Sequence, residues 1–465
     1  MKTENIEDIY ELSPLQKGIL FHSLYAPEMG LYVIQVSYTV RGHLNFVAFE
    51  RAWQQVVARH TIMRTSFYWE EIDKPLQVVN RQAEMLIEQQ DWRGIDSVEQ
   101  DKHLEFFLNS DRSSGFDFSQ APLMRVTLIR LADHCYQIVL SKHHLILDGW
   151  SSSLVLKDFV QIYEALCQRQ DASLAPGSCF GDYIAWLQNQ DLSTAEVYWR
   201  QVLCGLKAPT CLTNLDVDNL SRQEERYDEE RLQLSEATTA ALQSLARQHQ
   251  LTLNTLFQGA WALLLSRYSC ENNVVYGCTV SGRPVDLVGS ESMVGVFINT
   301  LPVWVKVDTE QSLLPWLKQL QAQLVEIRQY EYSPLVDIQG WSEVPRGVPL
   351  FESITVFENY PVDRVLRQWE GSLEILNHSL FYKTNYPLTV VAYPGLELAI
   401  AISYDCRRFD AATIRGVLNH FNILLYSMLT TPEVCLKDLQ LLITAEPEIL
   451  SSLEKEATFD LAFCN

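Results

Sequence analysis

The 465-residue sequence contains no run of the roughly 18 or more apolar residues that a membrane-spanning helix needs. Its first residues, Met1-Lys2-Thr3-Glu4-Asn5-Ile6-Glu7, lack the apolar stretch of a secretory signal. The expectation is a cytoplasmic chain with no membrane partner. Ten cysteines occur without a single Cys-x-x-Cys pair, which argues against zinc ribbons and redox dithiols, and most are expected to be reduced core residues. No basic run is present, and 36 basic against 58 acidic residues leave a net charge of −22, so nucleic acid is a poor partner. Also missing are a Gly-rich phosphate loop and a Gly-x-Ser-x-Gly elbow, which lowers the standing of nucleotide and hydrolase chemistry. A hydrophobic content of 47% excludes disorder, and the length suits two cores better than one, hence two lobes.

Periodicity gives a mixed α/β pattern. Ser13, Pro14 and Gln16 form a capping-box start to a first helix. Tyr32 to Val40 alternates like a strand, and Asn45 opens a helix with Phe46, Phe49, Trp53 and Val57 on one face. Strands are expected at Arg64 to Trp69, Leu123 to Leu131 and Cys135 to Ser141. Between Gln168 and Ser178 the pattern lapses, which places a boundary near residue 175 and gives lobes of 1–175 and 176–465. Beyond it come helices at Phe180 to Gln188, Thr194 to Leu203, Ser235 to His249, Leu253 to Tyr268 and Leu313 to Tyr330, with strands at Val274 to Val280 and Leu301 to Val307. At the end, Thr444 to Glu454 reads as a helix and Ala457 to Asn465 as a linker-like tail.

The chemistry concentrates in Ser141-Lys142-His143-His144-Leu145-Ile146-Leu147-Asp148-Gly149-Trp150-Ser151. The segment follows an expected strand and precedes a helix with Val155, Phe159, Ile162, Tyr163 and Leu166 at helical spacing. Neighbouring side chains of an extended chain point to opposite faces, so His143 and His144 cannot both enter one cavity without a sharp turn, and one of them should be structural. Gly149 allows close backbone approach, and its amide at a helix start could donate to a developing oxyanion; the other reading is a glycine demanded by the turn alone.

With these residues the chain resembles the condensation domains of nonribosomal peptide synthetases, whose signature is His-His-x-x-x-Asp-Gly. The likeness extends to Leu12 to His22, to Arg59 to Phe67, to Phe180 to Trp186 with Tyr183, to Ser281-Gly282-Arg283-Pro284 with Val294 to Thr300, and to Lys383 to Leu388, in family order. The resemblance implies two chloramphenicol-acetyltransferase-like lobes of mixed α/β sheets in a V-shaped pseudodimer, the histidines lying in the cleft. It implies amide formation between a donor acyl thioester and the amine of an acceptor aminoacyl thioester. Both substrates would ride on the phosphopantetheine of donor and acceptor carrier domains, with an adenylation domain adjacent and no metal or directly bound cofactor.

Carried over residue by residue, the resemblance assigns His144 to the attacking amine and its proton, and His143 to packing and hydrogen bonding. Asp148 invites a relay reading, but the family precedent pairs it with the arginine matching Arg283. Trp150, Asn299 and Asn385 fall at positions near the substrates; each also has a plain reading as a core or turn residue. An epimerisation domain would continue with a Ser-Trp-Arg ending where this chain has Trp150-Ser151-Ser152-Ser153, and heterocyclisation domains carry aspartates in place of the histidine pair. A silent binding module and a free-standing acyltransferase using a soluble acyl thioester are the readings from other classes. Leu15 to His22 resembles the domains that join an L-configured donor to an L-configured acceptor.

Overall fold

The computed structural model of the chain describes residues 5–175, 177–212, 215, 226–359 and 373–442. They form two compact units. The first takes Met1–Asp191, Ser281–Asn299 and Tyr360–Asn385; the second takes Leu192–Val280, Thr300–Asn359 and Tyr386–Asn465. The division therefore falls later than residue 175 and is not a single cut. The lapse in pattern between Gln168 and Ser178 marks a loop inside the first unit, and two later segments return to that unit because they bond to its sheet and to its strand-to-helix corner. The expected terminal helix and tail, from Thr444 onward, lie outside the described residues.

The first unit opens with β1 (Ile6–Glu11), α1 (Pro14–Tyr25), β2 (Val33–Gly42), α2 (Phe46–Arg59), β3 (Thr65–Tyr68), β4 (Leu76–Asn80), β5 (Ile87–Asp91) and α3 (Ser97–Ser113). β6 (Met124–Ala132), β7 (Cys135–His143), α4 (Gly149–Cys167) and α5 (Phe180–Gln188) follow. The chain then runs through α6 (Leu192–Val202), β8 (Tyr227–Gln233), α7 (Glu236–Gln248), α8 (Leu253–Ser269), β9 (Asn273–Val280), β10 (Asn299–Lys306), α9 (Leu313–Ile327), α10 (Leu335–Trp341) and β11 (Ser353–Phe357). It ends with β12 (Leu373–Phe381), β13 (Leu388–Tyr393), β14 (Ala399–Asp405), α11 (Ala411–Thr430) and α12 (Leu436–Leu442). No helix among the described residues is long and apolar enough to cross a membrane.

The first unit holds a five-stranded sheet ordered β12-β2-β7-β6-β5 and a three-stranded sheet ordered β1-β4-β3. In the larger sheet β5 and β6 run parallel while the other pairs are antiparallel. β12, from the returning segment, adds to the edge of β2 with Phe381 opposite Gln35. The six-stranded sheet of the second unit, β10-β9-β11-β13-β14-β8, is mixed as well, with β11 parallel to both β9 and β13. Both units are thus α/β with mixed sheets, and each has its own apolar core.

In the first unit that core fixes α4, whose N-terminus carries the site. Trp53 of α2 stacks on Phe159 of α4 at 4.5 Å, and Phe49 meets the same ring edge-on at 5.2 Å. Such ring pairs contribute about 0.5–1.5 kcal/mol beyond the area they bury. The N-cap Ser13 accepts from the Gln16 amide at 3.2 Å, and the Gln16 side chain accepts from the Ser13 amide at 2.9 Å. The same glutamine donates to the carbonyl of Leu145 at 3.0 Å, which ties α1 to the residues after the histidines.

Some expectations are revised. The segment before β3 is a 3-10 turn over Thr61–Arg64, so Arg64 precedes the strand. It is buried and ion-paired to Glu7 at 2.5 Å. α9 stops at Ile327 and continues as a 3-10 turn over Arg328–Tyr330. The described cysteines are free, but only Cys278 and Cys406 are buried, whereas Cys167, Cys204, Cys211 and Cys270 are exposed. The core is filled by Leu, Val, Ile and aromatic side chains, which leaves cysteine no packing role at most of its positions.

Candidate active site

Every candidate site residue lies in the first unit. β7 ends at His143, and the chain then turns before α4 begins at Gly149. The turn separates the two imidazoles. His143 is 2% exposed and its ring packs edge-on against Phe118 at 4.9 Å and Phe116 at 6.1 Å. Its Nδ1 accepts from the Leu145 amide at 3.2 Å, which places the remaining proton on Nε2, 3.2 Å from the Ser23 hydroxyl. Ser23 donates its own proton to the Ile19 carbonyl at 2.8 Å. Both ring nitrogens are therefore engaged in holding α1 and the turn.

Burial pushes the His143 imidazole down to about 3; the neighbouring His144 adds to this and the Leu31 carbonyl opposes it. Below pH 6.5, its ordinary value, the unfolded chain gains a proton on this residue that the folded chain refuses until about pH 3. Stability is therefore complete above pH 6.5 and declines as pH falls, each unit of pKa difference being worth about 1.4 kcal/mol. The thermal midpoint is expected to drop between pH 7 and pH 5, and His143→Asn to flatten that acid slope. Equal slopes in the two proteins would show that another group drives acid unfolding.

His144 is half-buried, and its Nδ1 has no hydrogen-bond partner within bonding geometry. Burial first and the Lys142 ammonium second bring its pKa down to about 4, against the opposing effect of Asp148 and the His144 and Leu147 carbonyls. It is the free base at neutral pH. Its backbone amide donates to the Tyr32 carbonyl at 2.8 Å.

Asp148 is fully buried and caps α4. One carboxylate oxygen accepts from the Ser151 amide at 2.7 Å, the other from the Phe297 amide at 2.9 Å. Arg283 lies 3.5 Å from this carboxylate, and Ser151 touches both groups, its amide donating to Asp148 and its hydroxyl accepting from Arg283 Nη2 at 2.8 Å. The guanidinium also donates to the carbonyls of Ser290 and of Met293, the latter at 2.9 Å, and covers the Phe297 ring at 4.0 Å. Burial lowers its pKa and Asp148 opposes that shift. Two glycines make this packing possible. A Cβ on Gly282, whose φ is +59°, would overlap the Phe297 carbonyl at 1.8 Å, and one on Gly295 would meet the Phe180 ring at 2.1 Å.

Gly149 is the first residue of α4, and its φ is not left-handed. The turn does not demand glycine for its dihedral angles. The amides of Ser151 and Ser152 are taken up by Asp148, while the Gly149 amide makes no hydrogen bond among the described residues. Trp150 donates from Nε1 to the Glu291 carbonyl at 2.9 Å. Asn299 opens β10, half-buried, two residues beyond Phe297. Asn385 accepts from the Tyr32 hydroxyl at 2.8 Å and lies 3.4 Å from His22 Nε2.

Sequence pattern alone does not single out Ser23, Tyr32, Lys142 or Ser151 as parts of the site. Ser151 has a local signal, its place three residues after the capping Asp148, where a helix-start amide needs an acceptor. Lys142 is 7% exposed and its ammonium meets the Ser152 hydroxyl, but strand alternation gives no warning of a buried lysine. His22, which reads as a packing or surface residue, joins Asn385 instead. Among the described residues no three His, Cys, Asp or Glu side chains converge as a metal ion would require.

Comparison with known proteins agrees with the fold. One component of the linear gramicidin synthase of Brevibacillus parabrevis is 45% identical over 445 residues, covering 96% of this chain and 6% of that protein. Another component of the same synthase is 46% identical over 446 residues, covering 94% of this chain and 9% of its own length. This chain thus spans less than a tenth of each of these relatives. A four-domain nonribosomal peptide synthetase crystallised with AMP and glycine superposes with a TM-score of 0.78 at 20% identity, over 96% of this chain and 34% of that one. The condensation-domain family model matches residues 6–451, and with the histidine pair, Asp148 and Gly149 held at one strand-to-helix corner, the chain belongs to the condensation domain family.

Proposed function

We propose that this chain forms a peptide bond in nonribosomal peptide synthesis, joining a donor aminoacyl or peptidyl thioester to the amine of an acceptor aminoacyl thioester. Donor and acceptor carrier domains present the two substrates on phosphopantetheine, and an adenylation domain adjoins the chain. The acceptor nitrogen attacks the thioester carbon, the C–N bond forms, the C–S bond breaks, and the thiol leaves with the proton that the nitrogen loses. The observation that carries this reading is the half-buried His144, a neutral imidazole in the turn just before α4, beside the unengaged Gly149 amide at the start of that helix.

A thioester is already activated, so the main task is to hold two reactants together. Positioning supplies roughly 7–11 kcal/mol, whereas a general base contributes about 10²–10⁴ in rate. In this reading His144 orients the amine and takes or relays its proton, and the Gly149 amide donates to the oxyanion. His143, Asp148 and Arg283 hold the corner in shape. Trp150 and Asn299 contact substrate. The stretch from Leu15 to His22 supports an L-configured donor and acceptor.

Loading two carrier domains with candidate aminoacyl groups, mixing them with the protein and following dipeptidyl thioester by mass spectrometry tests the reading. Product that depends on both loaded carriers, and favours L over D donors, is expected. An epimerised donor with no new amide, or no product with any pair, overturns it.

A further inference from the structure

We propose that Tyr32 is a positioning residue for His144, locked in place by Asn385. The inference rests on the assignment of His144 to the reacting amine. In a regular antiparallel ladder a strand residue sends its N–H and C=O to the same neighbour. Tyr32, immediately before β2, sends them to opposite sides. Its amide donates to the Lys383 carbonyl just beyond β12 at 3.0 Å, and its carbonyl accepts from the His144 amide just beyond β7 at 2.8 Å. The left-handed backbone that turns the peptide over, φ +63°, is unfavourable for a bulky side chain and persists only where the surroundings over-determine it.

The surroundings do so through the ring. The Tyr32 hydroxyl donates to Asn385 Oδ1 at 2.8 Å, which leaves Asn385 Nδ2 directed at His22 Nε2, 3.4 Å away. Burial lowers the His22 pKa. The Tyr32 ring also stands edge-on to the His144 ring, with centroids 6.5 Å apart and planes at 75°. The Lys383 ammonium donates to the Met29 carbonyl at 3.0 Å, so the segment 383–385 is fastened on both sides of Tyr32. Backbone and ring of one tyrosine thus join that segment to the histidine. Asn385, at a position the family resemblance associates with substrate, is here the anchor of that tyrosine.

The test is a double-mutant cycle on kcat with carrier-bound substrates, with thermal unfolding measured in parallel. Tyr32→Phe removes only the hydroxyl and is expected to lower kcat about tenfold, equivalent to about 1.4 kcal/mol, with KM for either substrate and the thermal midpoint nearly unchanged. Asn385→Ala should match it, the double variant should be no slower than either, and Asn385→Asp, which keeps an acceptor for the hydroxyl, should recover most of the loss. Wild-type kcat in Tyr32→Phe, additive losses, or losses that track falling stability overturn the proposal. His144→Ala separates the two levels. If it retains full activity, the assignment of His144 itself fails, whereas an inactive His144→Ala beside a fully active Tyr32→Phe removes only the role of Tyr32.

Discussion

Replacing His144 with alanine is expected to slow amide formation by at least about 10²-fold at saturating carrier-bound substrates, at the low end of the range for general base catalysis. A base works best with a pKa near the working pH, and His144 is held down at about 4, so it is a weak proton acceptor and chiefly a hydrogen-bond acceptor for the amine. Proximity remains in the variant, which is why a residual rate is expected. The imidazole stays neutral down to about pH 4, so an acid limb of the rate above that value belongs to another group, first of all the acceptor amine, whose ordinary α-amino value is about 7.7–8.0. Chemistry-limited single turnovers with full wild-type rate in His144→Ala would remove the imidazole from the reaction.

Asp148→Asn is expected to cost about 3–5 kcal/mol, the usual penalty for removing one partner of a buried ion pair. For a body of 150–250 residues 1 kcal/mol moves the midpoint roughly 2–4 °C, so the loss should be on the order of 10 °C. The substitution places an NH₂ group against either the Ser151 or the Phe297 amide, both of which now donate to the carboxylate, and it leaves the Arg283 guanidinium buried without its counter-charge. Arg283→Ala should cost less, because Asp148 keeps both amide donors. With both substitutions the loss should be smaller than the sum, since the surviving charge is no longer stranded. Unchanged melting of Asp148→Asn would mean that the carboxylate does not hold the corner.

Asp148 shows what is legible ahead of the fold and what is not. The strand, the turn, the helix start and the capping Asp-x-x-Ser spacing are local, and periodicity with capping chemistry exposes them. The pairing of Asp148 with Arg283 comes only through family resemblance, because 135 positions separate the two in sequence and no local rule connects them. Its actual form, an ion pair at 3.5 Å with Ser151 bonded to both groups, is a product of packing. α3 escapes periodicity for a related reason. It has no fully buried residue, so its apolar stripe is faint, and it is held by polar contacts such as Asp111 to Gln35 at 2.8 Å and to Arg125 at 3.0 Å. β11 to β14 are equally hidden; the buried runs in β13 and β14 are short and do not alternate, which leaves strand and buried helix alike in pattern.

The residues by themselves determined that the chain is a mixed α/β protein, pointed the proposed chemistry to the corner where β7 gives way to α4, and required the side chains of two adjacent histidines to part. These follow from periodicities and side-chain alternation, which act over a few residues. Tertiary structure alone decided which segments return to the first unit, how the His143 nitrogens are used up, and that a left-handed tyrosine at position 32 meets His144 through its carbonyl and Asn385 through its hydroxyl. Apart from the local bond between Leu145 and His143, these contacts join positions more than a hundred residues apart. Their energies depend on burial and geometry that arise only once the chain has closed upon itself.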